Sequence, residues 1–179
     1  TIIPRGSAGG FMMPLPEEKL VTGSKDIIAE IRVLFGGRAS EELVLDDIST
    51  GAYSDIKRAT QLAKVYVTKV GMNSEFGPVN LEASDDMNYN WIPNISDETS
   101  REIDLEVRKM LKVEYDNTLN VLRNNRDKLD AIANLLLEKE TVTGAEVREL
   151  INPMVEGTHV EENHVEESEE MKEINDLQN

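Results

Sequence analysis

Residues 24–72 read SKDIIAEIRVLFGGRASEELVLDDISTGAYSDIKRATQLAKVYVTKVGM, and the spacing of their apolar side chains decides the fold class. Ile28, Ile31, Leu34 and Phe35 recur at helical intervals, and Leu43 extends the same face if the helix runs on through Gly36 and Gly37. Two adjacent glycines cost about 2 kcal/mol relative to alanines in a helix interior, so they predict either a break or a close approach of another backbone. After Asp46-Asp47, Ser49 or Thr50 can cap a second helix, with a buried stripe of Ile56, Ala59, Ala63, Val67 and Val70 that ends near Gly71. The alanines in that stripe predict tight packing against a neighbour.

Working outward, residues 1–18 predict a small β flap: two extended pieces, Thr1-Ile2-Ile3 and Phe11-Met12-Met13, separated by Pro4-Arg5-Gly6 and Gly9-Gly10. A start on a β-branched run suggests a strand that continues something upstream. Residues 77–95 hold Pro78, Pro93 and the single tryptophan, Trp91, without a sustained period, and read as an irregular loop. Ser96 followed by Asp97 and Glu98 predicts the start of a long helix, with a seam of Ile103, Val107, Leu111, Tyr115 and Leu122. A further helix presents Leu129, Ile132, Ala133, Leu136 and Leu137, and the pair predicts an antiparallel hairpin. Thr143 opens a last short helix before Pro153. The expected class is mainly α, with folded residues 1–151 and a disordered tail at 152–179 that carries -8 of the net charge of -16.

That charge, from 35 acids against 19 bases, argues against a nucleic-acid partner. The absence of cysteine excludes disulfides, thiolate metal sites and cysteine nucleophiles within the chain. No apolar run approaches the roughly 20 residues that cross a bilayer. His159 and His164 are the only histidines. Their i, i+5 spacing does not share a helix face, so a solvated tail is the plainer reading than a weak metal site. Without histidine the folded body has no Ser/His/Asp set, and it has no phosphate-binding glycine loop. Asp55, about one turn into the second helix, can pair with Arg58 three residues on or serve as a ligand. Glu41 and Glu42 pose the same choice between a solvated face, an ion pair and an acid in a site.

Several segments together resemble the FtsH protease domain. They are Thr1-Ile2-Ile3-Pro4-Arg5-Gly6, Gly36-Gly37-Arg38-Ala39-Ser40-Glu41-Glu42, Ser49-Thr50-Gly51-Ala52 through Asp55-Ile56, Gly71-Met72, Phe76-Gly77-Pro78 and Ser96-Asp97-Glu98-Thr99. The resemblance covers about 150 residues, and it rests on the order of motifs that are individually weak. It implies part of a mostly helical zinc peptidase domain that follows a membrane anchor and an ATPase module using ATP and magnesium. It further implies a homo-hexamer on the cytoplasmic side of a bacterial inner membrane, or its organelle equivalent, that degrades unfolded, damaged or membrane proteins.

In that family a His-Glu-x-x-His helix supplies two zinc ligands and the glutamate that activates water, and an aspartate supplies the third ligand. By position that aspartate is Asp55, with Glu41 a supporting acid behind it. The strand at Gly10, Phe11, Met12 and Met13 matches one that receives substrate backbone to backbone, against a plainer reading as simple packing. Two departures stand out. The His-Glu-x-x-His motif does not occur in this chain, and Tyr53-Ser54 replaces the Ser-Asn that commonly precedes the aspartate. The expectation is therefore an inactive piece of an active subunit, with a non-enzymatic helical assembly module as the alternative and a generic helical adaptor as a third reading.

Overall fold

A computed structural model describes residues 1–6, 9–14, 20–81 and 95–152. Five helices account for most of them: α1 (Ser24–Leu45), α2 (Tyr53–Thr68), α3 (Asp97–Asn124), α4 (Arg126–Lys139) and α5 (Gly144–Ile151). The described residues fall into two compact units that part between Val142 and Thr143. The tail, the loop around Trp91 and the residue pair His159 and His164 lie outside the described residues.

The first unit is built on α1, α2 and α3, each packed against the other two. Ile27, Ile31 and Phe35 of α1 bury against Ala59, Ala63 and Val67 of α2 and Val107 of α3. Burying the isoleucine, phenylalanine and valine side chains is worth about 1.5–3 kcal/mol each. The short alanine side chains let the two helices lie close, as the stripe predicted. Three cross-links set their direction. Ser24 bonds Tyr66 (Oγ to Oη, 2.9 Å), Arg58 pairs with Glu30 at 3.3 Å, and Glu41 bonds Ser49. Rising numbers on α1 meet falling numbers on α2, so this pair is antiparallel. The ends of the predicted stripe, Ile56 and Val70, are instead 38% and 43% exposed.

Helix α1 runs unbroken through Gly36 and Gly37, and a methyl group added at either would meet nothing within 4 Å. Neither alternative drawn from the glycines is therefore found: there is no break and no close backbone among the described residues. The flanking Phe35 and Ala39 are buried, and the Ser40 hydroxyl donates to the Gly36 carbonyl at 2.8 Å. Tertiary packing on both sides thus holds the helix where propensity alone would weaken it.

Helix α3 begins as expected, with the Thr99 amide donating to the Ser96 hydroxyl at 3.1 Å. Its buried seam differs from the predicted one. Val107 and Leu119 are joined by Glu114 and Thr118, both 7% exposed. Glu114 accepts from the Arg32 guanidinium of α1 at 2.5 Å and from the Asn117 amide at 3.2 Å, which offsets the cost of burying its charge. Tyr115 meets Phe35 edge to face, with centroids 5.4 Å apart, and donates to Glu42 at 2.5 Å.

Helix α4 follows after the single residue Asn125, buries none of its side chains and touches α3 only sparsely. The expected antiparallel hairpin of α3 and α4 is therefore corrected. The antiparallel pair is α1 with α2, because those two carry facing small and large apolar side chains. Among the described residues the β flap is likewise smaller than expected. No strand forms, and one bridge residue, Arg5, accompanies a two-way pair between Thr1 and Phe11. In the second unit, the Thr143 hydroxyl caps α5 and Glu146 returns a bond to the Thr143 amide at 2.8 Å.

Two outcomes follow from this packing. Gly37→Ala should raise stability in the isolated chain by about 0.5–1 kcal/mol, read from urea unfolding, because the exposed helical site has room for a methyl group. Burial first, and the Glu42 bond second, push the Tyr115 hydroxyl from 10.0 up to about 12. The folded state thus favours the neutral phenol. Its contribution is complete below about pH 10 and is lost as pH rises through about 12. Tyr115→Phe should flatten the loss of stability across that alkaline window, and an unchanged slope would contradict the assignment.

Candidate functional site

The link from α1 to α2 is held by two side chains of α1 that act on one residue. Arg38 donates to the Ser49 carbonyl at 3.0 Å. Glu41 accepts from the Ser49 amide at 3.1 Å and from its hydroxyl at 2.6 Å. The Ser49 oxygen in turn accepts from the Gly51 amide at 3.1 Å, which tightens the turn that leads into α2. Engaged in this way, Ser49 does not cap α2. The cap position is Ala52, with no side-chain hydrogen bond, and Ala52 itself is buried against the body. The predicted Ser49 or Thr50 cap is therefore replaced by a grip from the preceding helix.

The hydrogen bonds to Ser49, side chain before backbone, hold the Glu41 carboxyl below its usual range of 4.5. The grip is thus formed by charged Glu41.

Asp55 occupies the first turn of α2 and is exposed. The helix N-terminus is the positive end of its dipole, which favours a carboxylate there. Arg58, the partner expected three residues on, reaches across to Glu30 of α1 instead. No hydrogen bond or ion pair among the described residues engages Asp55. The antiparallel pairing thus draws the neighbouring cation away, and among the described residues the Asp55 carboxylate has no partner.

The flap residues make a separate set of bonds. Gly10 passes so close to the first residues that an added methyl group would sit 2.6 Å from the Thr1 carbonyl oxygen, so only glycine fits there. Phe11 exchanges two backbone bonds with Thr1, of 3.0 and 3.1 Å, and its ring lies 5.3 Å from the Arg5 guanidinium. Met12 and Met13 are 72% and 79% exposed. The structure brings Glu41 together with the loop that starts the Asp55 helix. No hydrogen bond or ion pair among the described residues joins either acid to Gly10, Phe11, Met12 or Met13.

A zinc ion takes three protein donors in an open catalytic centre and four in a closed one. Among the described residues no three of His, Cys, Asp or Glu come together for a metal. Among the described residues, then, no donor set stands around Asp55 to complete a zinc site. Sequence reasoning missed Arg38 as Glu41's companion and missed Glu30 as the partner of Arg58. The first was within reach of a search for charges one turn apart before a turn, whereas the second spans 28 positions and had no local signal.

Comparison with known proteins adds an independent line. The model of peptidase family M41 matches residues 1–150. The chain is 59% identical over 175 residues to an ATP-dependent zinc metalloprotease FtsH from Leptotrichia buccalis, which covers 95% of this chain and 23% of that relative. It is 62% identical over 152 residues to the FtsH of Streptobacillus moniliformis, covering 85% of this chain and 22% of the relative. A more distant relative, the FtsH of Thermus thermophilus, is 39% identical over 153 residues, with 84% and 24% covered. The chain therefore spans less than a quarter of the length of each of these three relatives. Among the described residues no helix is long and apolar enough to cross a membrane.

The grip on Ser49 has a direct spectroscopic consequence. Protonating Glu41 should weaken its bonds, so the Ser49 amide proton should titrate by NMR with a midpoint below 4.5, and Glu41→Gln should remove the titration. A titration that survives the substitution would assign it to another group.

Proposed function

The chain belongs to peptidase family M41, and from that membership we propose that it is part of the peptidase region of an ATP-dependent, membrane-anchored zinc metalloendopeptidase. Its substrates in this reading are unfolded, damaged or membrane proteins. Asp55 provides one donor to a zinc centre, and the other ligands and the general base belong to a His-Glu-x-x-His helix outside this chain. ATP and magnesium act at a separate module, and the subunits form a homo-hexamer on the cytoplasmic side of a membrane. The names of the relatives support the peptidase reading, and the exposed Asp55 carboxylate, unpartnered among the described residues, is the single observation in this fold that supports the ligand role. A structural aspartate at that position would be expected to hold Arg58.

Glu41 acts here at one remove. With Arg38 it fixes the 49–51 turn, and that turn sets where the first turn of α2, and hence Asp55, begins. Gly10 to Met13 is the edge that receives substrate. Phe11 turns its backbone groups toward Thr1, and the alternation of an extended chain directs those of Gly10 and Met12 the other way. Backbone pairing at such an edge accepts many sequences, as a protease of unfolded chains requires.

In the full-length protein, Asp55→Asn should lower hydrolysis of unfolded casein by about 100-fold or more, at or beyond the 10–100-fold range typical of residues one shell removed from a metal, and leave ATP hydrolysis within about twofold. The isolated chain should neither bind zinc with submicromolar affinity by calorimetry nor cleave casein. Stoichiometric tight binding through Asp55 alone would overturn that division of labour. N-methylation of a substrate peptide at the amide that pairs with the edge should raise KM about 5–10-fold, the worth of one backbone hydrogen bond.

A further inference from the structure

The hydroxyl of Thr1 is the meeting point of three hydrogen bonds. It donates to the Glu140 carbonyl at 3.0 Å, accepts from the Ile3 amide at 3.1 Å and lies 2.8 Å from the Thr141 hydroxyl. The next amide, that of Ile2, donates to the same Glu140 carbonyl at 2.9 Å. Glu140 presents that carbonyl from a left-handed backbone, φ 59°, at the end of α4, whose last intrahelical bond is Glu140 N–H to Leu136 at 2.8 Å. Thr1-Ile2 thus lies between two backbone partners. Phe11 holds it on one side and Glu140-Thr141 on the other.

Among the described residues this arrangement decides which edge of the flap is open. The outward backbone groups of Gly10 and Met12 make no hydrogen bond with any described residue, whereas the far side of Thr1-Ile2 is already taken by Glu140. Gly10 adds a steric condition, because its backbone lies against the Thr1 carbonyl and moves with it. A shift of Thr1 would therefore carry Gly10 and Phe11 along.

We propose that Thr1 is a positioning residue for substrate, its hydroxyl pinning the flap to the end of α4 so that only the Gly10–Met12 edge receives an extended polypeptide. The proposal rests on the edge reading given above. Thr1 touches no substrate in it. The hydroxyl fixes the register and height of the strand that does. Helix α4 gains a role by the same geometry: it buries no side chain, yet its C-terminal carbonyl carries the flap.

The test uses the full-length protein with Thr1→Val, which keeps the shape and removes the hydroxyl, and Thr1→Ser, which keeps the hydroxyl. Thr1→Val should raise KM for unfolded casein about 3–10-fold, in line with the loss of about one net hydrogen bond, with kcat within about twofold. Amide exchange at Ile2 should quicken in parallel, and Thr1→Ser should restore both. Thr141→Val, which removes only the partner hydroxyl, should raise KM about 2–3-fold, and it serves as the reading if Thr1→Val does not fold. An unchanged KM in the folded valine variants overturns the proposal, as does a Thr1→Ser protein as impaired as Thr1→Val. Sensitivity to substrate N-methylation separates the two levels. If it is present while the valine variants keep a normal KM, the anchor alone is wrong. If it is absent, the edge reading fails and takes the anchor with it.

Discussion

The close fit of Ala59 and Ala63 against Ile31 and Phe35 is the contact on which the described body depends. Alanine at these positions lets α2 lie near α1, and the antiparallel direction then follows from a short link and from pairs at both ends. The same approach brings Arg58 within reach of Glu30, which removes the cation that would otherwise sit beside Asp55. A wider helix pair would break that pairing, loosen the grip on Ser49 and leave Asp55 with a local partner. Packing and the availability of the carboxylate are thus consequences of one interface. Larger side chains at 59 or 63 would force off-rotamer packing there.

Two further devices extend that order outward. Arg38 and Glu41 act on the backbone of Ser49, so the start of α2 is positioned by α1 and not by its own cap. At the other end of the chain, the first residues are fixed between Phe11 and the end of α4. In both cases a charged or hydroxyl side chain holds a backbone segment whose apolar side chains, Ile2, Ile3 and Ile48, stay exposed. Segments of that kind cannot be ordered by burial, so their position depends on hydrogen bonds that desolvate little and individually contribute about 1 kcal/mol.

The sequence made the mainly helical class legible, along with the α2 stripe at Ala59, Ala63 and Val67 and the caps at Ser96 and Thr143, because each depends on residues within one or two turns of one another. It did not reveal the burial of Glu114, since a glutamate on a helix surface normally faces water and its partner Arg32 lies 82 positions away. Glycines 36 and 37 misled for a related reason: helix propensity is local, and the packing that overrides it is not. The hairpin expected of α3 and α4 failed because apolar spacing on α4 shows a face without saying what covers it. For the site, position within a family motif singled out Asp55, yet the reason Arg58 does not hold it lies in the long-range pair of Arg58 with Glu30. The anchoring of Thr1 to Glu140 had no signal at all in the linear chain.

The central claim is that Asp55 is one ligand of a metal centre whose remaining donors come from elsewhere in a longer polypeptide. Anomalous diffraction at the zinc edge, on crystals of the full-length protein, addresses it without recourse to kinetics. The account predicts a metal peak with an Asp55 carboxylate oxygen at about 2.0–2.2 Å and the other protein ligands drawn from outside residues 1–152. A zinc ion coordinated fully without Asp55, or Asp55 engaged by Arg58 in the loaded protein, would contradict it.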